Sequence, residues 1–149
     1  SGSVSLTART ADAAGNQASS AAFITTVDTA APTVTGVAYG GNDGALATGE
    51  AVTLTVAFSE NVTVAGGTPT LSLNSGGTAT YTGGTGTGTG ALTFTYTPAA
   101  GQSASDLAVT AFNLNGATVR DAAGNTANTA GAAANPTGTL AVDTAAPSI

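Results

Sequence analysis

Apolar and polar residues alternate with a period of two along much of the chain, the pattern of a strand with one face buried and one face wet. Val52, Leu54, Val56 and Phe58 share one side, with Thr53 and Thr55 on the other. Leu92, Phe94 and Tyr96 alternate with Thr93, Thr95 and Thr97 in the same way. Shorter runs of the same kind cover Thr33 to Tyr39, Thr70 to Leu73, Thr78 to Thr82, Leu107 to Asn113 and Gly138 to Val142, each bounded by Gly, Asn, Asp or Pro. About seven strands result, which is the complement of an immunoglobulin-like antiparallel β-sandwich with Leu, Val and Phe inside and Thr outside. A further pair of strand-like runs, Val4 to Thr10 and Ala21 to Val27, flanks a turn at Asp12 to Asn16 and reads as a β-hairpin.

A duplication divides the chain. Asp12-Ala-Ala-Gly-Asn16, followed by Val27-Asp-Thr-Ala-Ala-Pro32, recurs as Asp121-Ala-Ala-Gly-Asn125 followed by Val142-Asp-Thr-Ala-Ala-Pro147. The linker blocks stand 115 residues apart, from Asp28 to Asp143. That distance suits one sandwich domain and exceeds a solenoid turn. The expected organisation is therefore the C-terminal hairpin of a preceding repeat at 1–28, a complete repeat at 29–143 and the start of a third at 144–149. The tract from Gly83 to Gly90 resembles a phosphate loop in its glycines but has no following Lys-Ser/Thr, and reads as a hairpin connection.

Composition narrows the function. Of 149 residues, 42% are hydrophobic but only 5% aromatic, so the core is built from small residues. Charged residues make up 7%, and Thr, Ser, Asn and Gly carry the surface, which favours strands and turns over helices. A net charge of -6 repels nucleic-acid phosphates and anionic lipid and favours divalent cations as partners. No apolar run approaches the ~18–20 residues of a membrane-spanning helix, so no membrane insertion is expected of this segment. The absence of His, Cys and Lys removes the usual bases and activated nucleophiles, and the chain is read as non-enzymatic.

The carboxylates are the remaining chemistry. If the strands alternate in direction from Thr33, then Asp28, Glu60, Asn61, Asp121 and Asn125 share one pole of the sandwich, where two repeats meet. Asp43, Glu50, Asp106 and Asp143 gather at the other pole by the same logic. Ca²⁺ takes six to eight oxygen ligands, which such clusters can supply together with backbone carbonyls and water. The competing reading of the same residues is that Asp and Asn are ordinary turn formers, with Gly124 at positive φ. The aromatic residues Tyr39, Tyr81, Tyr96, Phe23, Phe58, Phe94 and Phe112 are candidates for a carbohydrate platform, but alternation assigns Phe58, Phe94 and Tyr96 to the core.

Together, Val-Asp-Thr-Ala-Ala-Pro, Phe58-Ser-Glu-Asn-Val62, Gly67-Thr-Pro-Thr-Leu71, Leu114-Asn-Gly-Ala117 and Asp121-Ala-Ala-Gly-Asn125 resemble the bacterial immunoglobulin-like repeats of giant adhesins and other repetitive extracellular proteins. The resemblance implies a tandem array at the bacterial cell surface or secreted from it. In such an array the repeats act as spacers or extenders, often stiffened by calcium, with neighbouring repeats as partners. Two other roles stay open: a fibre subunit that assembles with its own kind by strand addition, and a carbohydrate-binding module.

Overall fold

The computed structural model describes residues 1–41, 44–83 and 90–148. The chain divides into two compact units, Ser1–Ala30 and a larger one from Ala31 onward.

The first unit is the expected hairpin. Strands β1 (Gly2–Leu6) and β4 (Phe23–Val27) pair antiparallel, and inside them β2 (Arg9–Ala11) pairs with β3 (Gln17–Ser19). The Asp12–Asn16 turn closes the inner pair, with the Asp12 N–H donating to the Asn16 carbonyl at 3.0 Å. Register places Leu6 opposite Phe23 and Val4 opposite Thr25, so Val4, Leu6, Phe23 and Val27 lie on one face. They remain 40–67% exposed.

The second unit holds strands β5 (Val34–Tyr39), β6 (Ala45–Leu46), β7 (Val52–Phe58), β8 (Thr63–Gly66), β9 (Thr70–Leu73) and β10 (Thr78–Gly83). They are followed by β11 (Ala91–Tyr96), β12 (Ser103–Ala104), β13 (Val109–Asn113), β14 (Ala117–Arg120), a 3₁₀ turn at Ala130–Ala132 and β15 (Ala141–Asp143). Six of these strands form one antiparallel sheet in the order β13-β9-β10-β11-β7-β5. Bulges near Gly36, Thr82 and Thr110 shift its register and increase its twist. A three-stranded sheet, β12-β15-β6, and a ribbon of β14 with β8 supply the second layer.

Both layers contribute to one core. Leu46, Val62, Val119, Leu140 and Val142 from the smaller elements and their loops share a buried cluster with Leu54, Val56, Leu71, Leu92 and Phe94 from the large sheet. In β7 the burial alternates strictly, with Val52, Leu54, Val56 and Phe58 inside. Its register with β11 sets Leu92 against Val56, Phe94 against Leu54 and Tyr96 against Val52, which doubles the apolar rows. Each such side chain contributes about 1.5–3 kcal/mol on burial. Phe94 meets Tyr81 and Phe112 edge-on, with ring centroids 5.8 and 5.5 Å apart. The buried Tyr96 hydroxyl is satisfied by Ser75 Oγ and Gln102 Oε1, each at 2.9 Å.

The all-β sandwich agrees with the pattern of the sequence, and three details differ. The second unit carries eleven strand segments rather than about seven. The additional ones, β6, β8, β12 and β14, are two to four residues long, too short for alternation to register. One pair, β15 with β6, runs parallel. The last strand begins at Ala141 rather than Gly138, because the Leu140 N–H donates to the Asp106 carboxylate instead of a strand partner. Most of the Gly83–Gly90 tract lies outside the described residues.

Candidate metal centre

The turn at Asp121 to Asn125 is built by its own two end residues. Asp121 Oδ1 accepts the Asn125 N–H at 2.8 Å, and Oδ2 accepts the Asn125 side-chain amide, also at 2.8 Å. In return the Asp121 N–H donates to the Asn125 carbonyl at 3.1 Å, and Gly124 turns the chain at φ 93°. Asp121 is only 9% exposed. That burial alone would raise its pKa, but the donors from Asn125, Gly124 and Ala123 outweigh it and hold the carboxyl below its ordinary value. The Asp12 copy repeats the construction: Oδ1 accepts the N–H groups of Ala14 and Asn16 at 2.9 Å, and Oδ2 accepts the Asn16 amide at 2.8 Å. Asp12 is likewise held low, chiefly by the Asn16 side chain. The turn-forming role of these Asp and Asn residues is therefore present in both copies.

A second carboxylate approaches Asp121. Strand β14 pairs antiparallel with β8, and the register sets Arg120 against Thr63. The residue after β14 and the loop before β8 consequently lie side by side. Val62, 1% exposed, roots that loop in the core. Carboxylate oxygens of Glu60 and Asp121 come within 4.8 Å of one another. Two ligands of one Ca²⁺, each at about 2.4 Å, can stand up to about 4.8 Å apart, so the pair meets the spacing that a shared cation requires. Asn61 follows Glu60 in the loop and is exposed. Asp28 belongs to the N-terminal unit, where its Oδ1 accepts the Ala30 N–H at 3.1 Å.

The carboxylates expected at the other pole have separate local roles. Glu50 Oε2 accepts the Ala47 N–H at 3.1 Å and closes the 47–50 turn. Asp106 Oδ2 accepts the Asn135 amide at 2.8 Å, and Oδ1 accepts the Leu140 N–H at 3.2 Å. Asp143 Oδ1 accepts the Ala145 N–H at 3.0 Å. Among the described residues, Glu50, Asp106 and Asp143 do not form a group of three with ligand oxygens within 4.8 Å of one another. Asp43 lies outside the described residues.

Beside Asp106 sits a residue that sequence reasoning gave no polar role. The Tyr39 hydroxyl donates to the Leu107 carbonyl, and burial, then the Asp106 charge, pushes its pKa up to about 12. Its partners stand 68 and 67 positions away along the chain, and no local signal announces them. Phe94 and Tyr96 are fully buried, Phe58 is 7% exposed, and Tyr39, Tyr81 and Phe112 pack against the core. Of the seven aromatic residues only Phe23, in the hairpin, is a largely exposed ring at 67%.

Comparison with known proteins finds no matching family model, no matching curated protein and no matching solved structure. No helix among the described residues is long and apolar enough to cross a membrane.

Proposed function

We propose that this chain is a structural spacer from a tandem array, a repeat that extends and separates other parts of a bacterial cell-surface or secreted adhesin. The observation that carries the reading is the duplication: the same Val-Asp-Thr-Ala-Ala-Pro block enters the sandwich at Val27 and leaves it at Val142. A domain bounded at both ends by one linker is the unit of an array, and its stiffness sets the reach of whatever it carries.

Calcium is the cation this reading assigns to Glu60 and Asp121, with Asn61 as a further donor on sequence grounds. Two carboxylates within one coordination diameter suit a hard divalent ion. Asp121 already accepts donors from Asn125, Gly124 and Ala123, so a bound cation would share its oxygens with that turn. Bound calcium would stabilise the folded loop pair by mass action. Calorimetric titration with CaCl₂, on the wild type and on Glu60→Gln, should show a saturable heat that the variant weakens at least tenfold. A wild type that gives no heat at millimolar calcium removes the metal from the reading. Small-angle scattering showing no increase in maximum dimension when residues 29–143 are duplicated within the chain would remove the spacer itself.

A second reading is favoured by the exposed face of Val4, Leu6, Phe23 and Val27. A two-stranded ribbon with one apolar face is marginal alone, and adding it to another copy makes a fibre subunit. Light scattering should then show concentration-dependent association that Phe23→Ser abolishes; a strictly monomeric chain at millimolar concentration excludes it.

A further inference from the structure

The two copies of the linker block are seen in different surroundings, each showing one half of a joint. At the end of the sandwich, Thr144 is clamped to the repeat it leaves. Its Oγ1 accepts the Gly101 N–H at 3.0 Å and donates to the Gln102 carbonyl at 2.8 Å. The strand pairing of Asp143 with Ser103 leads directly into this clamp. Beyond it Ala145, Ala146, Pro147 and Ser148 are exposed.

At the start of the sandwich the same block is clamped to the repeat it enters. Pro32, the counterpart of Pro147, is fully buried. Its carbonyl accepts the Asn128 N–H at 2.7 Å. Thr33 then exchanges two bonds with Ser59, donating its N–H to Oγ at 3.0 Å and accepting the Ser59 N–H at 2.8 Å. The aspartate of each copy makes the same turn, Asp28 to the Ala30 N–H at 3.1 Å and Asp143 to the Ala145 N–H at 3.0 Å. Their local geometry is shared, so the halves can be joined.

The geometry points to a two-anchor joint between tandem repeats: Thr144 is clamped by the repeat it leaves, and Pro147 takes, in the repeat that follows, the buried position that Pro32 holds here with its carbonyl on the Asn128 N–H. In a tandem pair the threonine is held by the repeat behind and the proline by the repeat ahead. Only two alanines lie between these anchors. Three Cα steps span at most about 10 Å, so the joint has almost no slack. The joint is thus stiff through backbone-directed hydrogen bonds and a buried proline, without a metal. This inference rests on the spacer reading and specifies what holds its repeats together.

The test is an extended chain in which residues 1–147 are followed by 33–149, so that Thr144 to Pro147 form the new joint. With no native cysteine in the chain, Thr78→Cys in each copy allows two spin labels, and pulsed electron spectroscopy reads the distance distribution between them. The expected result is one narrow distribution, equal in calcium and in chelator. It should at least double in width with Thr144→Val, or with two glycines inserted between Ala145 and Ala146. Unaltered melting of Thr144→Val would show that the repeats stay folded. A distribution broad in chelator and narrow in calcium overturns the clamp while leaving the spacer reading intact. A distribution broad in both conditions overturns the clamp and the stiff spacer together. A width unchanged in both variants overturns the clamp alone.

Discussion

Asp121 holds Asn125 twice, taking its backbone N–H on one carboxylate oxygen and its side-chain amide on the other, both at 2.8 Å. Asp12 holds Asn16 by the same two bonds in the hairpin unit. A carboxylate facing an amide satisfies all four groups; a second carboxylate in place of the amide would not. Asn125→Asp is therefore expected to lower the melting temperature at pH 7 through like-charge repulsion. The difference from wild type should narrow as the pH approaches about 4, where carboxylates begin to protonate. Differential scanning calorimetry across that range checks both parts.

Acid should weaken the second unit through Asp106 and Asp121. The Asn135 amide and the Leu140 N–H hold Asp106 below its ordinary value, against a smaller opposing effect of burial. A carboxylate depressed in the folded state contributes stability that is complete above its unfolded pKa, about 3.9, and is lost as pH falls through the folded pKa. In urea titrations between pH 5 and pH 2, Asp106→Asn should start less stable than wild type and show a shallower loss.

Alkali should act through Tyr39. Its pKa of about 12 lies above the unfolded value near 10, so the folded state binds the proton more tightly. The stability this provides is complete below pH ~10 and is lost as pH rises toward the folded pKa. Tyr39→Phe, which removes the hydroxyl donated to Leu107, should be less stable at pH 7 yet lose less between pH 10 and 12. The difference in phenolate absorbance between the wild type and Tyr39→Phe should report the late ionisation of Tyr39.

The core should respond to cavities in proportion to burial. Phe94 is fully buried between Tyr81 and Phe112, and Phe94→Ala is expected to cost about 3–5 kcal/mol. Thr78→Ala on the exposed face of β10 should stay within about 0.5 kcal/mol. Chemical denaturation of both variants measures the contrast.

Backbone packing sets a separate limit at Gly67. A Cβ there would lie 2.0 Å from the Asn115 carbonyl oxygen and 2.9 Å from the Ala117 nitrogen, and neither is a side chain that can swing away. Gly67→Ala should therefore destabilise by about 3 kcal/mol, the upper part of the range for overpacking. The melting midpoint relative to Gly76→Ala, where a Cβ has open space but φ is 82°, separates collision from backbone strain.

Alternation by itself determined the class of fold, the core face of β7 and β11 and the hairpin at the N-terminus, because a period of two states directly which side chains leave water. The duplicated Asp-Ala-Ala-Gly-Asn and Val-Asp-Thr-Ala-Ala-Pro blocks are likewise read directly from the sequence. The Asp-Ala-Ala-Gly-Asn turn was also legible, since its bonds close within five residues. Tertiary structure alone decided the rest, for one physical reason: the partners are remote in sequence. Glu60 meets Asp121 only through the pairing of β8 with β14, two strands too short to show a period. Asp106 finds Asn135 and Leu140 across a loop, at separations of 29 and 34 residues that no local pattern announces. Thr144 and Pro32 stand in identical words of the sequence, and only the fold bonds the one to Gly101 and Gln102 and buries the other beside Asn128.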